Sequence, residues 1–290
     1  MEVREVWRQN IAEELKLMLE LIRRYRYIAV DTEFPGFLRS TPRNASKEER
    51  YRDLKSNVDS MKVIQLGITL FDEPGNMPFP RCCCWQFNFC DFDPAKDAHS
   101  EASLELLKRS GIDFDKMRRQ GLEADLCSIL LQDLLNSCRG LRWITFHGLY
   151  DVAYLLKLLT GAPLPDTLHG FLILAGSLLG RCYDVKHIAR FCDGLLGGET
   201  GLVKMSKMMG IELAGTHHQA GYDSLLTGLL FWAIKMAFRI DEDAFVGILY
   251  GLEVNCIRGP MTAMPFHPCC SRRFFVAPPF GRMICFHGFS

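Results

Sequence analysis

Residues 27–36 read YIAVDTEFPG: a short apolar run leading straight into Asp31, Thr32 and Glu33, then a proline and a glycine. The run predicts a buried strand over 27–30. Residues two apart in a strand point to the same side, so Asp31 and Glu33 project together from one strand end. Before it, Ile11, Leu15, Met18, Leu19 and Ile22 are spaced as one face of an amphipathic helix over 11–25. After it, 39–60 is polar and rich in Arg, Lys and Asn, and reads as a loop carrying one exposed helix. Strands follow at 61–70 and 82–89, joined by the turn Pro74-Gly75-Asn76 as a hairpin. Helical patterns cover 103–109 and 122–138, and 142–146 (RWITF) reads as a further strand ended by His147-Gly148. From Tyr150 onward the pattern is almost wholly helical, over 150–159, 167–178, 184–192, 200–209 and 219–238.

Early strands, one later strand and many helices predict a single α/β domain with a mixed central sheet packed between helices. Neither a repeat nor a linker divides the chain. The pattern degrades after about Gly251, so the expected domain spans 1–258. Residues 259–290 hold prolines, paired cysteines and scattered aromatics without a period, and read as a poorly ordered tail.

Composition narrows the function. The 290 residues are 48% hydrophobic and 23% charged, with 34 basic against 34 acidic side chains. That excludes a disordered chain, which needs low hydrophobicity and high net charge. It also argues against bulk electrostatic coating of nucleic acid or membrane. The longest apolar stretch, 225–234, is far short of the roughly 20 residues a membrane span requires. The amino-terminal residues lack the apolar centre of a secretory signal, so an intracellular protein is expected. The 12 cysteines include no CxxC, which disfavours a disulfide framework. His267, Cys269, Cys270, Cys285 and His287 cluster near the end, but their spacing matches no familiar structural-zinc pattern; structural thiols are the better reading and zinc the lesser.

Two more acids stand at element boundaries. Asp151 opens the helix after the 142–146 strand, and Asp223 lies in the first turns of the 219–238 helix. Sites in open α/β sheets are built at such strand ends and helix starts. Converging carboxylates repel one another unless cations sit among them. All-oxygen ligands select Mg²⁺ or Mn²⁺, and two such ions form a clamp for in-line attack on a phosphodiester. A single Asp at a helix start is more often a cap than a ligand, so the signal lies in the set of four. His218 precedes Asp223 by five residues, about 500° of helix rotation. The two converge if His218 is on the entering loop, with Gly221 easing the bend; His217 then points elsewhere. An imidazole is a natural acceptor for the proton of an attacking water.

Asp31-Thr32-Glu33, Asp151 and His218-x4-Asp223 resemble the DEDD exonuclease pattern in its histidine subclass. The tyrosine subclass would place Tyr where Gln219 stands. The longer segments IAVDTEFPG (28–36), KVIQLGITLFDEPGN (62–76), WQFNF (85–89), FHGLYD (146–151), YDVKHIARFC (183–192) and HQAGYDSLLTG (218–228) are similar to the Caf/Pop catalytic subunit of the CCR-NOT deadenylase. This resemblance spans roughly 1–252. It implies an RNase H-like domain and a 3′-to-5′ exoribonuclease that shortens poly(A) tails and releases 5′-AMP, using two Mg²⁺ or Mn²⁺ ions. It further implies that Asp31, Glu33 and Asp223 hold one ion, that Asp31 with Asp151 through water holds the other, and that His218 takes the proton. The implied partners are poly(A) RNA, the complex's scaffold and a second deadenylase subunit. Residence in the cytoplasm is implied, with a nuclear share allowed.

Two alternatives stay open at this stage: a DEDD exonuclease for other RNA or DNA 3′ ends, and an RNA-binding scaffold with vestigial activity. Phe34 reads either as a core ring or as a stacking surface for a terminal base. Arg39, Arg43, Lys47, Arg50, Arg52 and Lys55 alternate with acids, so a solvated surface is favoured over phosphate contacts. Asp166, Asp184 and Asp193 read as caps and surface charges.

Overall fold

A computed structural model describes residues 3–78, 84–213 and 215–252. The expected tail at 259–290, its histidine and cysteine cluster, and Cys82 and Cys83 lie outside the described residues. In chain order the elements are β1 (Arg4–Val6), α1 (Ile11–Ile22), β2 (Tyr27–Glu33), α2 (Lys47–Ser60), β3 (Gln65–Phe71), β4 (Cys84–Asn88), α3 (Glu101–Arg109), α4 (Phe114–Gln120) and α5 (Ala124–Asn136). They continue with β5 (Arg142–Thr145), α6 (Leu149–Thr160), α7 (Leu168–Leu178), β6 (Arg181–Asp184), α8 (Val185–Ala189), α9 (Leu202–Met208) and α10 (Ala220–Phe238).

The six strands form one mixed sheet in the order β1-β4-β3-β2-β5-β6, as the α/β reading requires. β2 is antiparallel to β3, β3 to β4; β5 runs parallel to β2, β6 to β5, and β1 to β4. Alternation along β2 assigns its two faces. Ile28 and Val30 pack into a core shared with α1, α5 and α6. Tyr27 and Ala29 pack with Leu225, Leu230 and Phe231 of α10. The sheet is therefore covered on both sides, and no helix among the described residues is long and apolar enough to cross a membrane.

Register shapes the site. β5 pairs with β2 only as far as Ala29, whereas β3 follows β2 through Glu33. The last turn of β2 thus has one open side, and the start of α6 fills it. On the α10 side, Gly67 is paired with Asp31, and a Cβ there would stand 1.8 Å from the Ala220 carbonyl oxygen. Glycine at this position allows the helix that carries Asp223 to sit down on the sheet.

Four expectations are corrected. β1 and β6 were not read from the sequence, and 184–192 is not a helix: the chain makes edge strand β6, one turn of α8, and then turns. The short α4 was also missed. The 47–60 helix is not simply exposed, because Tyr51, Leu54, Asn57 and Val58 are buried along one side. Ser46 and Glu49 start it as a reciprocal capping box.

Candidate active site

Asp31 and Glu33 continue the face of β2 that meets α10, inside the strand and not beyond it. Thr32, between them, reaches across the open side of β2. Its N–H donates to Asp151 Oδ1 at 2.8 Å and its hydroxyl to the same oxygen at 2.6 Å. Asp151 is buried in the first turn of α6. That turn is itself held from β6, where Asp184 accepts the N–H groups of His147 (2.9 Å) and Gly148 (3.0 Å). Asp184 also accepts from Lys186 and Tyr250, so this buried carboxylate is a cap serving three segments.

Asp223 comes from the first turn of α10. The left-handed backbone of His218 (φ 61°) turns the chain so that its N–H donates to Asp223 Oδ2 at 2.9 Å. The bend therefore lies at His218 itself. Gly221 is instead a close-packing position inside α10, where a Cβ would meet Val3 Cγ1 at 2.7 Å. The entering loop is fixed by Ser110, whose hydroxyl donates to the His218 carbonyl at 3.0 Å. Gln219 adds bonds from Gln65 and Gln86 and one to the Ser110 carbonyl.

Glu33, His218 and Asp223 each bring a ligand atom within 4.8 Å of the other two. Asp31 stands among Glu33, Asp151 and Asp223. Burial first, then those neighbouring charges, pushes its carboxyl well above the usual range. Burial, with Asp223 and Asp151, raises Glu33 to about 8. Burial raises Asp151 to about 7 against the opposing Thr32 bonds, and Asp223 is raised by burial against its bond from His218 and both imidazoles. His217 does not point elsewhere: its ring stands edge-on to Tyr222 and its Nδ1 lies 3.6 Å from Asp223 Oδ1. Asp223 Oδ1 is buried yet accepts no hydrogen bond. A crowded set of acceptor oxygens at raised pKa, one of them buried without a hydrogen bond, fits hard divalent cations as further partners.

Phe34 is partly buried against the core, stacked on Tyr150 (centroids 5.3 Å, planes 16° apart) and Tyr154 (4.8 Å, 27°). Thr32, Ser110 and Gln219 were not read as site residues, and Asp184, read as a cap or surface charge, is a buried cap that also reaches the start of α6. Their part is hydrogen bonding to groups remote in sequence, and local spacing carries no trace of it.

A mixed sheet with acids converging from β2, α6 and α10 and an imidazole from the loop before α10 defines a nuclease of the DEDD exonuclease class. The CAF1 family ribonuclease model matches residues 6–123. Two Arabidopsis thaliana proteins, probable CCR4-associated factor 1 homologs 7 and 10, are each 41% identical to the chain. The first aligns over 88% of this chain and 94% of its own length, the second over 87% and 93%. The chain belongs to the CAF1 ribonuclease family. Among solved structures, S. pombe Pop2p in its Mg²⁺- and Mn²⁺-bound form superposes with TM-score 0.79 at 37% identity, covering 87% of this chain and all of that one. Yeast CAF1 co-crystallised with the NOT1 MIF4G domain superposes with TM-score 0.74 at 27% identity, covering 86% and 96%.

Proposed function

We propose that this protein is a 3′-to-5′ exoribonuclease that removes adenosines from the poly(A) ends of messenger RNA, releasing 5′-AMP, as a catalytic subunit of a CCR4-NOT assembly. The observation that carries the proposal is the convergence of Glu33, His218 and Asp223 beside Asp31 and the Thr32-bound Asp151. That convergence sits on the fold of a Pop2 ribonuclease that binds Mg²⁺ and Mn²⁺.

Asp31, Glu33 and Asp223 would hold one divalent ion, and Asp31, with Asp151 through water, would hold the second. Bound there, Mg²⁺ or Mn²⁺ neutralises phosphodiester charge and favours in-line attack by water. The chain's own groups do the rest. The His218 imidazole accepts a proton from water as its oxygen bonds to phosphorus. The bond from phosphorus to the 3′ oxygen of the preceding nucleotide breaks, and that oxygen takes a proton from solvent water as it leaves, becoming the new 3′ hydroxyl. Glu33 accepts a hydrogen bond from the terminal 3′-hydroxyl, and the edge of Phe34 lines the place of the terminal nucleotide. Thr32 keeps Asp151 in one orientation throughout.

The catalytic domain extends through about residue 258. A NOT1-type scaffold and a CCR4-type second deadenylase are the partners, in line with the NOT1-bound yeast relative and the names of the plant ones. Cytoplasmic residence with a nuclear share accompanies that role.

The test is a time course with purified protein, Mg²⁺ or Mn²⁺, and a 5′-labelled RNA ending in about twenty adenosines, run beside Asp31→Ala. The expected result is a ladder that shrinks from the 3′ end, stops at the first non-adenosine residues, and is absent with the variant. Equal shortening by Asp31→Ala would refute the site; indifference to tail sequence would refute the poly(A) assignment.

A further inference from the structure

We propose that Phe37 and Arg39 form a binding subsite for nucleotides upstream of the scissile bond: Phe37 stacks a base of the single-stranded tail and Arg39 holds a phosphate. The proposal rests on the exoribonuclease reading and names residues that reading does not use. The chain leaves β2 through Pro35 and Gly36. Gly36 is left-handed (φ 93°), and a Cβ there would stand 2.3 Å from Ser103 Oγ, so the turn is pressed against the start of α3. Phe37 and Leu38 then stand 51% and 46% exposed.

An exposed ring on a loose loop would mean little, but this loop is held. Asn57, fully buried on α2, accepts the N–H groups of Leu38 (3.0 Å) and Arg39 (2.9 Å) on its side-chain oxygen. Its side-chain nitrogen donates to the Arg39 carbonyl (3.0 Å) and the Tyr150 hydroxyl (2.9 Å). A buried amide with every bond engaged thus fixes the backbone beneath an exposed aromatic. The Phe37 ring stands edge-on to Phe34 (5.5 Å) and Tyr150 (4.8 Å), the direct neighbours in sequence of Glu33 and Asp151. The platform is therefore continuous with the reaction centre.

Arg39 supplies the charge. Its side chain has no hydrogen bond or ion pair among the described residues, and it borders a cleft of about 500 Å³ between α2 and the start of α7. Lys55, in the same cleft, is already paired with Asp59 and Asp166; Glu48 is the cleft's third acid, and Arg39 and Arg52 are the lining cations without an ion pair among the described residues. Aromatic faces that stack bases beside cations that track the backbone are the chemistry of single-strand binding. Adenine's broad π-face suits such a platform better than a pyrimidine does.

The deciding experiment measures KM and kcat against oligoadenylate length for the full chain, Phe37→Ala, Phe37→Tyr and Arg39→Ala, with thermal melts as a check on folding. Phe37→Ala is expected to raise KM about ten-fold on long oligomers, with kcat at saturation changing less than two-fold, and to abolish the gain in affinity at one step of the length series. Phe37→Tyr should restore the gain. Arg39→Ala should lower the slope of log KM against log salt by about one. Equal KM for the full chain and Phe37→Ala at every length would overturn the proposal, as would an equal loss of kcat at every length, which marks a ring that only supports Phe34 and Tyr150. Should the unsubstituted protein shorten no RNA, the activity reading fails separately. The subsite is then decided by Phe37→Trp fluorescence titrated with oligoadenylate in EDTA, where quenching supports it and an unchanged signal overturns it.

Discussion

Thr32 donates two hydrogen bonds to one oxygen of Asp151, from its N–H at 2.8 Å and its hydroxyl at 2.6 Å. The residue between the two acids at the end of β2 thereby orients a third acid on a helix more than a hundred positions away. Residues that aim metal ligands in this way typically alter affinity or rate 10–100-fold when changed.

Thr32→Val keeps the shape and the N–H bond but removes the hydroxyl bond. Activity should fall about ten-fold, with a matching rightward shift of the Mn²⁺ activation curve, while the melting temperature moves little. Thr32→Ser should recover most of the loss. Steady-state rates across a Mn²⁺ titration are the measurement, and an unshifted curve would remove Thr32 from the positioning role.

The acids also make stability depend on pH and metal. Glu33 is raised to about 8 and Asp151 to about 7, from ordinary values near 4, and Asp31 and Asp223 are raised as well. A carboxyl with a raised folded-state pKa favours the fold below its unfolded pKa, and that advantage is lost as pH rises through the folded value. In EDTA, melting temperature should therefore fall between about pH 5 and pH 8. Mg²⁺ or Mn²⁺ should restore more at pH 8 than at pH 6, where protons compete for the same oxygens. Melts flat across this range with and without metal would contradict the assigned crowding.

Removing one charge separates function from stability. Asp31→Asn should abolish RNA shortening yet raise the unfolding midpoint in EDTA at pH 8, because one of four mutually repelling carboxylates is gone. Urea denaturation measures this, and a lowered midpoint would show that Asp31 is held by favourable contacts instead.

Asp184 is 1% exposed and accepts N–H groups from His147, Gly148, Lys186 and Tyr250. Asp184→Ala orphans those donors and should cost about 3–5 kcal/mol in urea denaturation. Asp184→Asn, retaining one acceptor oxygen, should cost less. A loss under about 1 kcal/mol for the alanine variant would mean water replaces the carboxylate.

Gly67→Ala drives a methyl group into the Ala220 carbonyl, 1.8 Å from the new Cβ, against backbone that cannot step aside without moving α10. Stability should drop by about 1–3 kcal/mol. Activity in the folded fraction should drop too, because Asp223 and His218 move with the helix start. Full activity per folded molecule would show that α10 relaxes without disturbing its acid.

Sequence by itself determined the central strands, the long helices and the acids that enter the site. β2, β3 and β5 carry buried apolar runs, α10 is apolar nearly all round, and such patterns are local properties of the chain. The α/β class and the four acids follow from that local signal. Tertiary structure alone decided the rest. Both missed strands, β1 and β6, are the edges of the sheet; each is three or four residues long, and it exists because a neighbouring strand offers unpaired backbone groups. The buried side of α2 is set by the α6 and α7 surface it meets. The left-handed backbone of His218 sets the approach to Asp223, and the bonds of Thr32 and Asp184 join atoms far apart along the chain. Periodicity reports what a residue must be buried from. Which partner completes a hydrogen bond is fixed only when distant segments are brought together.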